Sequence, residues 1–237
     1  MEDYLRSWGC KNATAIDVSK AAFILQNTTV MTPPLVPEVR LHLAHEAVPL
    51  WQKTEEEMGE MGLPPPSWAF AWAGGQALAR YILDNPELTH SRRVLDLATG
   101  CGLVAVAAAQ SGGHITAVDI DEFATTAAGM NAKLNSVSLE ICCEDLLVKT
   151  PPLLDVVLVG DLFYEKTLAE RCLSWLRLAQ AQGATVLVGD PGRSYLPKDQ
   201  LVKLAEYNVP VTRDLEDAEI KRTAVWQLSA LQTSPNC

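Results

Sequence analysis

Positive charge is scarce in this chain. Nineteen Lys and Arg face 29 Asp and Glu, leaving a formal net charge of −10 over 237 residues. Such a surface repels phosphate backbones, and no basic cluster offsets it, so no nucleic-acid partner is expected. Long apolar runs are missing too: none approaches the roughly 20 residues that cross a bilayer, which predicts no membrane partner. The opening MEDYLRSWGC has neither an apolar signal core nor an Arg/Ser-rich transit pattern. The six cysteines, Cys10, Cys101, Cys142, Cys143, Cys172 and Cys237, form no CxxC. Neither a disulfide framework nor a zinc knuckle is therefore expected, and Cys142 and Cys143 read as small apolar residues. His42 and His45 lie in HLAHE, which lacks the zincin order and a third ligand, so no metal is expected. What remains is 48% apolar and 20% charged, the composition of a globular chain with a full core.

The first 90 residues differ in pattern from the rest. TPPLVP (32–37) is extended, because each proline lacks a donor and biases its predecessor away from helix. Val39, Leu43, Ala47, Leu50 and Trp51 recur at helical spacing and predict a helix over 38–60, stopped by LPPPSW. A second helix is predicted over Gly75–Asn85. From Arg93 strands and helices alternate: VLDLA (94–98), a helix at 103–110, ITAVDI (115–120), a helix at 121–135 capped by Asp121, and SLEIC (138–142). DVVLVG (155–160), a helix at 165–180, TVLVGD (185–190) and a helix at 197–207 follow, and VPVTRDL and RTAVWQL read as final strands. Alternation of this kind demands right-handed parallel crossovers and hence an α/β, doubly wound open sheet. The chain divides into an N-terminal helical extension acting as a lid (1–90), a core (91–230) and a disordered tail (231–237).

In open α/β sheets ligands bind beyond the carboxyl ends of the strands. Asp96 ends the first core strand, and Gly100 and Gly102 fill the turn before a helix whose N-terminus offers unsatisfied amides to an anion. Gly100, Gly102 and Ala105 also satisfy G-x-G-x-x-G/A, with Asp119 following 19 residues after Gly100, so a nicotinamide oxidoreductase is one reading. Asp96 weighs against it, since a carboxylate facing the crevice repels a pyrophosphate. S-adenosylmethionine (SAM) carries no phosphate: Asp96 suits its ammonium, the glycine turn its carboxylate, Asp119 the ribose hydroxyls and Asp145 the adenine amino group. One aspartate alone reads as a helix cap. Asp96, Asp119, Asp145 and Asp161 at four successive strand ends read as a ligand site. Asp161 and Tyr164 leave the fourth strand where the sulfur of SAM would point. Trp68 and Trp72 in SWAFAWAGG suit a roof over the cofactor and suit core packing equally.

VLDLATGCG, AVDID, CEDLL and GDLFYE together resemble the seven-β-strand SAM-dependent (class I) methyltransferases, with a Rossmann-like seven-stranded sheet. Asp161-x-x-Tyr164 resembles the signature of the lysine-directed branch. SWAFAWAGGQALARYILDNPEL, VLVGDLFYEKTLAE and VLVGDPGRSYL are similar to the electron-transfer-flavoprotein β-subunit lysine methyltransferases and their bacterial relatives, a likeness running from about Phe23 to Leu228. The resemblance implies a protein-lysine N-methyltransferase acting on that β-subunit, with S-adenosylhomocysteine as product. It further implies that Asp96, Gly100, Gly102, Asp119 and Asp145 hold SAM while Asp161 and Tyr164 line the lysine channel. Ala98 stands where many members have glycine. Mitochondrial members carry a presequence that this chain does not show, so a bacterial cytoplasm is the expected home and the mitochondrial matrix the alternative. A small-molecule N-methyltransferase on the same fold is the alternative activity. In the lysine reading Asp161 draws in and orients the ammonium, and Tyr164 aims the nitrogen.

Overall fold

The computed structural model describes residues 17–45, 66–211 and 219–230. Helix α1 (Val18–Asn27) starts where Asp17 accepts hydrogen bonds from the amides of Ser19 and Lys20. Strands β1 (Thr29–Met31) and β2 (Leu41–Leu43) form an antiparallel pair around the proline-rich turn. The helix expected over 38–60 is thus corrected at its start. Val39, Leu41 and Leu43 are buried while Arg40 and His42 face outward, a period of two that the helical spacing of Val39 and Leu43 concealed. Residues 46–60 of that helix lie outside the described residues, as do 212–215 of the expected strand VPVTRDL and the tail 231–237.

The central sheet is built from β3 (Arg93–Leu97), β4 (His114–Asp119), β5 (Glu140–Cys143), β6 (Val156–Gly160), β7 (Thr185–Asp190), β8 (Leu201–Pro210) and β9 (Ile220–Leu228). Their order is β5-β4-β3-β6-β7-β9-β8, parallel as far as β7, with β9 antiparallel between β7 and β8. Strand order reverses beside β3, so the crevice falls between the ends of β3 and β6.

Alternation along the strands separates two cores. Leu95, Leu97, Val157, Val159, Val186 and Val188 face helix α5 (Lys166–Ala181) through Cys172, Trp175 and Leu176. Val94, Val156, Leu158 and Leu187 face helices α2 (Ala73–Asp84) and α3 (Leu103–Gln110) on the other side. Strands covered on both faces explain the unbroken apolar run of VVLV. Helix α4 (Glu122–Leu134) begins where Asp121 accepts the amide of Phe123, as the sequence predicts.

The helix expected over 197–207 is corrected to a short 3-10 turn followed by β8. Leu201, Leu204 and Ala205 carry a helical spacing, but a register shift between Lys203 and Ala205 leaves Leu204 exposed and returns Ala205, Tyr207 and Val209 to the core face. Pairing with β9 along nearly its whole length overrides the local preference. Cys142, fully buried on β5, is disulfide-bonded, which the cysteine spacing did not predict. Among the described residues no helix is long and apolar enough to cross a membrane.

Two asparagines fasten the β1–β2 pair to the core: Asn135, at the C-terminal end of α4, accepts the Arg40 amide at 2.9 Å and donates to the Arg40 carbonyl at 2.6 Å. Buried Asn131 of α4 accepts the His42 amide at 2.8 Å and donates to the Cys101 carbonyl, also at 2.8 Å, inside the glycine turn after β3.

Candidate active site

Three residues of the turn after β3 take left-handed backbone: Ala98 (φ +57°), Gly100 (+52°) and Gly102 (+78°). Glycine is required at 102, where a Cβ would come within 2.9 Å of the Ala128 Cα. Ala98 bears a Cβ in a conformation that costs an L-residue roughly 1–2 kcal/mol. The turn is braced from below by Asp96, whose Oδ2 accepts from the Thr99 hydroxyl (2.6 Å) and the Ala105 amide (3.1 Å). No hydrogen bond to its Oδ1 is formed among the described residues. Burial pushes this carboxyl up to about 7, against the two hydrogen bonds that favour the anion.

Asp119, at the end of β4, accepts the Gly100 amide at 2.9 Å and the Asp121 amide at 3.1 Å. Its carboxylate is therefore locked to the turn, and burial raises its pKa. Ile120, directly after it, is an exposed apolar side chain. Asp145 behaves differently: it caps a short 3-10 turn through the Leu147 amide and pairs with Arg171 at 2.7 Å.

On the far side of the crevice Asp161 follows β6 with φ +54°. Its amide donates to the Gly189 carbonyl at 3.0 Å, which turns the side chain under the N-terminus of α2. There Oδ2 accepts the amides of Gly74 and Gly75, and Oδ1 accepts Arg193 Nη2 at 2.7 Å and Nε at 3.1 Å. Backbones touch at this point. A Cβ on Gly189 would lie 2.1 Å from the Gly74 carbonyl oxygen, so only glycine lets α2 reach the carboxylate.

Arg193 lies in the loop after β7, where its amide and that of Gly192 bind Asp190 Oδ1 at 2.7 and 2.6 Å. Asp190 Oδ2 is buried without a hydrogen-bond partner among the described residues, and burial raises this carboxyl. The Arg193 guanidinium lies 5.7 Å from the centre of the Trp72 ring, a cation–π arrangement. The Tyr195 amide donates to the Phe163 carbonyl, joining this loop to the one after β6. Tyr164 is exposed on that second loop. Partial burial of its hydroxyl, then the charges of Asp119 and Glu165, raise its pKa, so it lies within electrostatic reach of the β4 carboxylate.

The structure thus joins Asp96, Gly100, Gly102 and Asp119 by hydrogen bonds, and joins Asp161 to Trp72 through Arg193. Trp68 stands apart. It is 1% exposed and stacks on Phe123 at 5.5 Å with Phe23 at its edge, which makes it a core residue in this structure. Sequence reasoning missed Thr99, the Gly74–Gly75 amides and the ion pair of Arg193. The clue to the last was GDPGR itself, a charge placed beside a Pro-Gly bend.

A parallel five-strand run extended by an antiparallel pair, with a glycine turn and a carboxylate at the ends of its first two strands, defines a class I methyltransferase. The fold resemblance extends to a magnesium protoporphyrin IX methyltransferase from Synechocystis PCC 6803 solved with bound SAM, at TM-score 0.50 and 14% identity over 65% of this chain and 78% of that one. The family model for ribosomal protein L11 methyltransferase (PrmA) matches residues 76–160. Electron transfer flavoprotein β-subunit lysine methyltransferases are more similar still. The Xenopus laevis protein is 36% identical over 212 residues, spanning 86% of this chain and 85% of its own, and the human protein is 35% identical over 219 residues, spanning 89% and 82%. The chain belongs to the electron transfer flavoprotein β-subunit lysine methyltransferase family. With that membership the dinucleotide reading of Gly100-x-Gly102-x-x-Ala105 falls away.

Proposed function

We propose that this protein transfers a methyl group from SAM to a lysine of the electron transfer flavoprotein β-subunit. The observation that carries the reading is similarity over nearly the whole chain to proteins with that named activity.

The residues present fit the cofactor. Among the described residues Asp96 keeps one oxygen without a hydrogen bond beside the turn, and this oxygen suits an ammonium. Gly100 offers an open approach, since a Cβ there would meet only the Ser67 carbonyl at 3.7 Å. Asp119 presents a fixed acceptor for hydroxyls, with Ile120 beside it as an apolar face for a purine. Bound SAM supplies an electrophilic methyl carbon for an in-line displacement. The chain's own work is positioning and charge management. A lysine must arrive unprotonated, which from its ordinary pKa of about 10.4 costs roughly 4.6 kcal/mol at pH 7. Asp161, Arg193 and Tyr164 line the acceptor side, and residues 17–45 brace the cofactor side through Asn131. An acidic surface also favours a substrate that presents basic residues around its target.

The test is intact-mass measurement of purified β-subunit after incubation with this protein and SAM. A gain in multiples of one methyl group is expected. An unchanged mass, with label from methyl-labelled SAM entering only small solutes of a cell extract, overturns the reading in favour of a small-molecule acceptor.

A further inference from the structure

The Asp161 carboxylate meets its partners before any substrate arrives. Two amides from the first turn of α2 hold one oxygen, and a forked contact from Arg193 holds the other. The guanidinium is itself fixed: its side chain is 22% exposed, it lies over Trp72, and its backbone is tied to Asp190. A lone carboxylate at this place would bind a lysine as ammonium, the form that cannot accept a methyl group. We propose that Arg193 is a positioning residue whose guanidinium offsets the charge of Asp161, so that the acceptor amine meets a carboxylate already paired and is left as the free base. The inference rests on a lysine amine being the acceptor, and it assigns Asp161 an orienting role while denying it a net attraction for the cation.

Arginine suits this task better than lysine. It stays charged at every working pH and its planar fork matches the carboxylate edge and the indole face together. An uncompensated opposite charge within about 4–6 Å moves a pKa by roughly 1–3 units. Removing the guanidinium therefore raises the pKa of the bound lysine by at least one unit. Among the described residues other charged groups lie near this pair. Asp190 and Lys198 lie on the β7 side, Tyr164 and Glu165 on the loop after β6, and Asp119 beyond Tyr164, while α2 brings no acidic side chain in its first turn.

The experiment is single-turnover methylation of the β-subunit between pH 6.5 and 10, with saturating SAM, by wild type, R193M, R193K and the D161N/R193M pair alongside D161N. Calorimetric binding of S-adenosylhomocysteine confirms that each variant is folded, and R193Q replaces R193M if the latter fails that check. In R193M the acid limb of the rate profile moves up by one unit or more, a tenfold or greater loss at pH 7 that largely recovers at pH 9. R193K stays within about 0.3 unit of wild type. D161N alone leaves the guanidinium unopposed and moves the limb down, and adding R193M to it returns the limb to within about 0.3 unit of wild type, whereas a limb belonging to a titration of Asp190, Tyr164 or Lys198 would stay where R193M alone puts it and would overturn the inference. An R193M profile lowered uniformly at all pH values overturns the inference and leaves Arg193 a structural residue. Failure of the wild type to methylate the β-subunit at any pH would instead sink the functional reading beneath it.

Discussion

Asp96→Asn tests the cofactor site with opposite effects on stability and binding. Asp96 is 2% exposed, and its pKa rises from an ordinary 3.8 to about 7 because burial penalises the anion more than two hydrogen bonds favour it. Below about pH 3 the carboxyl is largely protonated whether the chain is folded or not, and Asp96 costs almost nothing. As pH rises the unfolded chain ionises first, so the contribution of Asp96 to stability is lost progressively until the folded carboxyl ionises as well, near pH 7. A gap of roughly three units, at about 1.4 kcal/mol each, caps the loss near 4 kcal/mol, with less than half of it present at pH 5. Asparagine escapes this penalty and still accepts from Thr99 and Ala105 through its amide oxygen. The apo variant should therefore melt several degrees above wild type at pH 8 and by a smaller margin at pH 5. Cofactor binding should move the other way. Losing a charge-assisted contact to an ammonium costs about 1.5–3 kcal/mol, or roughly 10- to 150-fold in S-adenosylhomocysteine affinity. Calorimetry in buffers of different ionisation enthalpy should show proton release on binding to wild type at pH 6.5 and none from position 96 in the variant. Unchanged affinity, or an apo variant less stable than wild type at pH 8, would refute the placement of Asp96 as both buried and ligand-facing.

Two other substitutions separate packing from chemistry. Ala98→Gly should raise the melting temperature by about 1–4 °C, because it relieves a Cβ held at φ +57°, and a fall would show that the chain tolerates that conformation without strain. Trp68→Ala should cost about 3–5 kcal/mol in denaturant unfolding while leaving S-adenosylhomocysteine affinity in the folded protein within about threefold, and the converse result would make Trp68 a wall of the cofactor pocket.

Most of the sheet was legible because its strands are buried on both faces and carry unbroken apolar runs, as in VVLV of β6, with caps such as Asp121 marking where helices begin. Legibility failed where two periods coincide. Val39 and Leu43 satisfy a helix and a strand alike, and only Leu41 between them decides. Leu201, Leu204 and Ala205 satisfy a helix because a bulge interrupts the strand's alternation, and pairing with β9 is invisible locally. Near the glycine turn, the placement of Asp96 and Asp119 at adjacent strand ends was readable from the order of the elements. The ion pair of Asp145 was not, since its partner Arg171 lies 26 residues on, and neither was the hold on Asp161, which depends on Gly74 of α2 meeting Gly189 and Arg193 at the end of β7.

The single amide of Asn131 has a thermodynamic corollary. It is the shared support of a hairpin near the start of the chain and of the loop that would carry the donor's carboxylate. Linkage is symmetric, so any free energy by which docking of that hairpin tightens donor binding must equal the amount by which a bound donor tightens hairpin docking. The amino-terminal segment is thereby a reporter of occupancy as well as a brace, and the departure of spent donor and the loosening of the hairpin belong to one equilibrium.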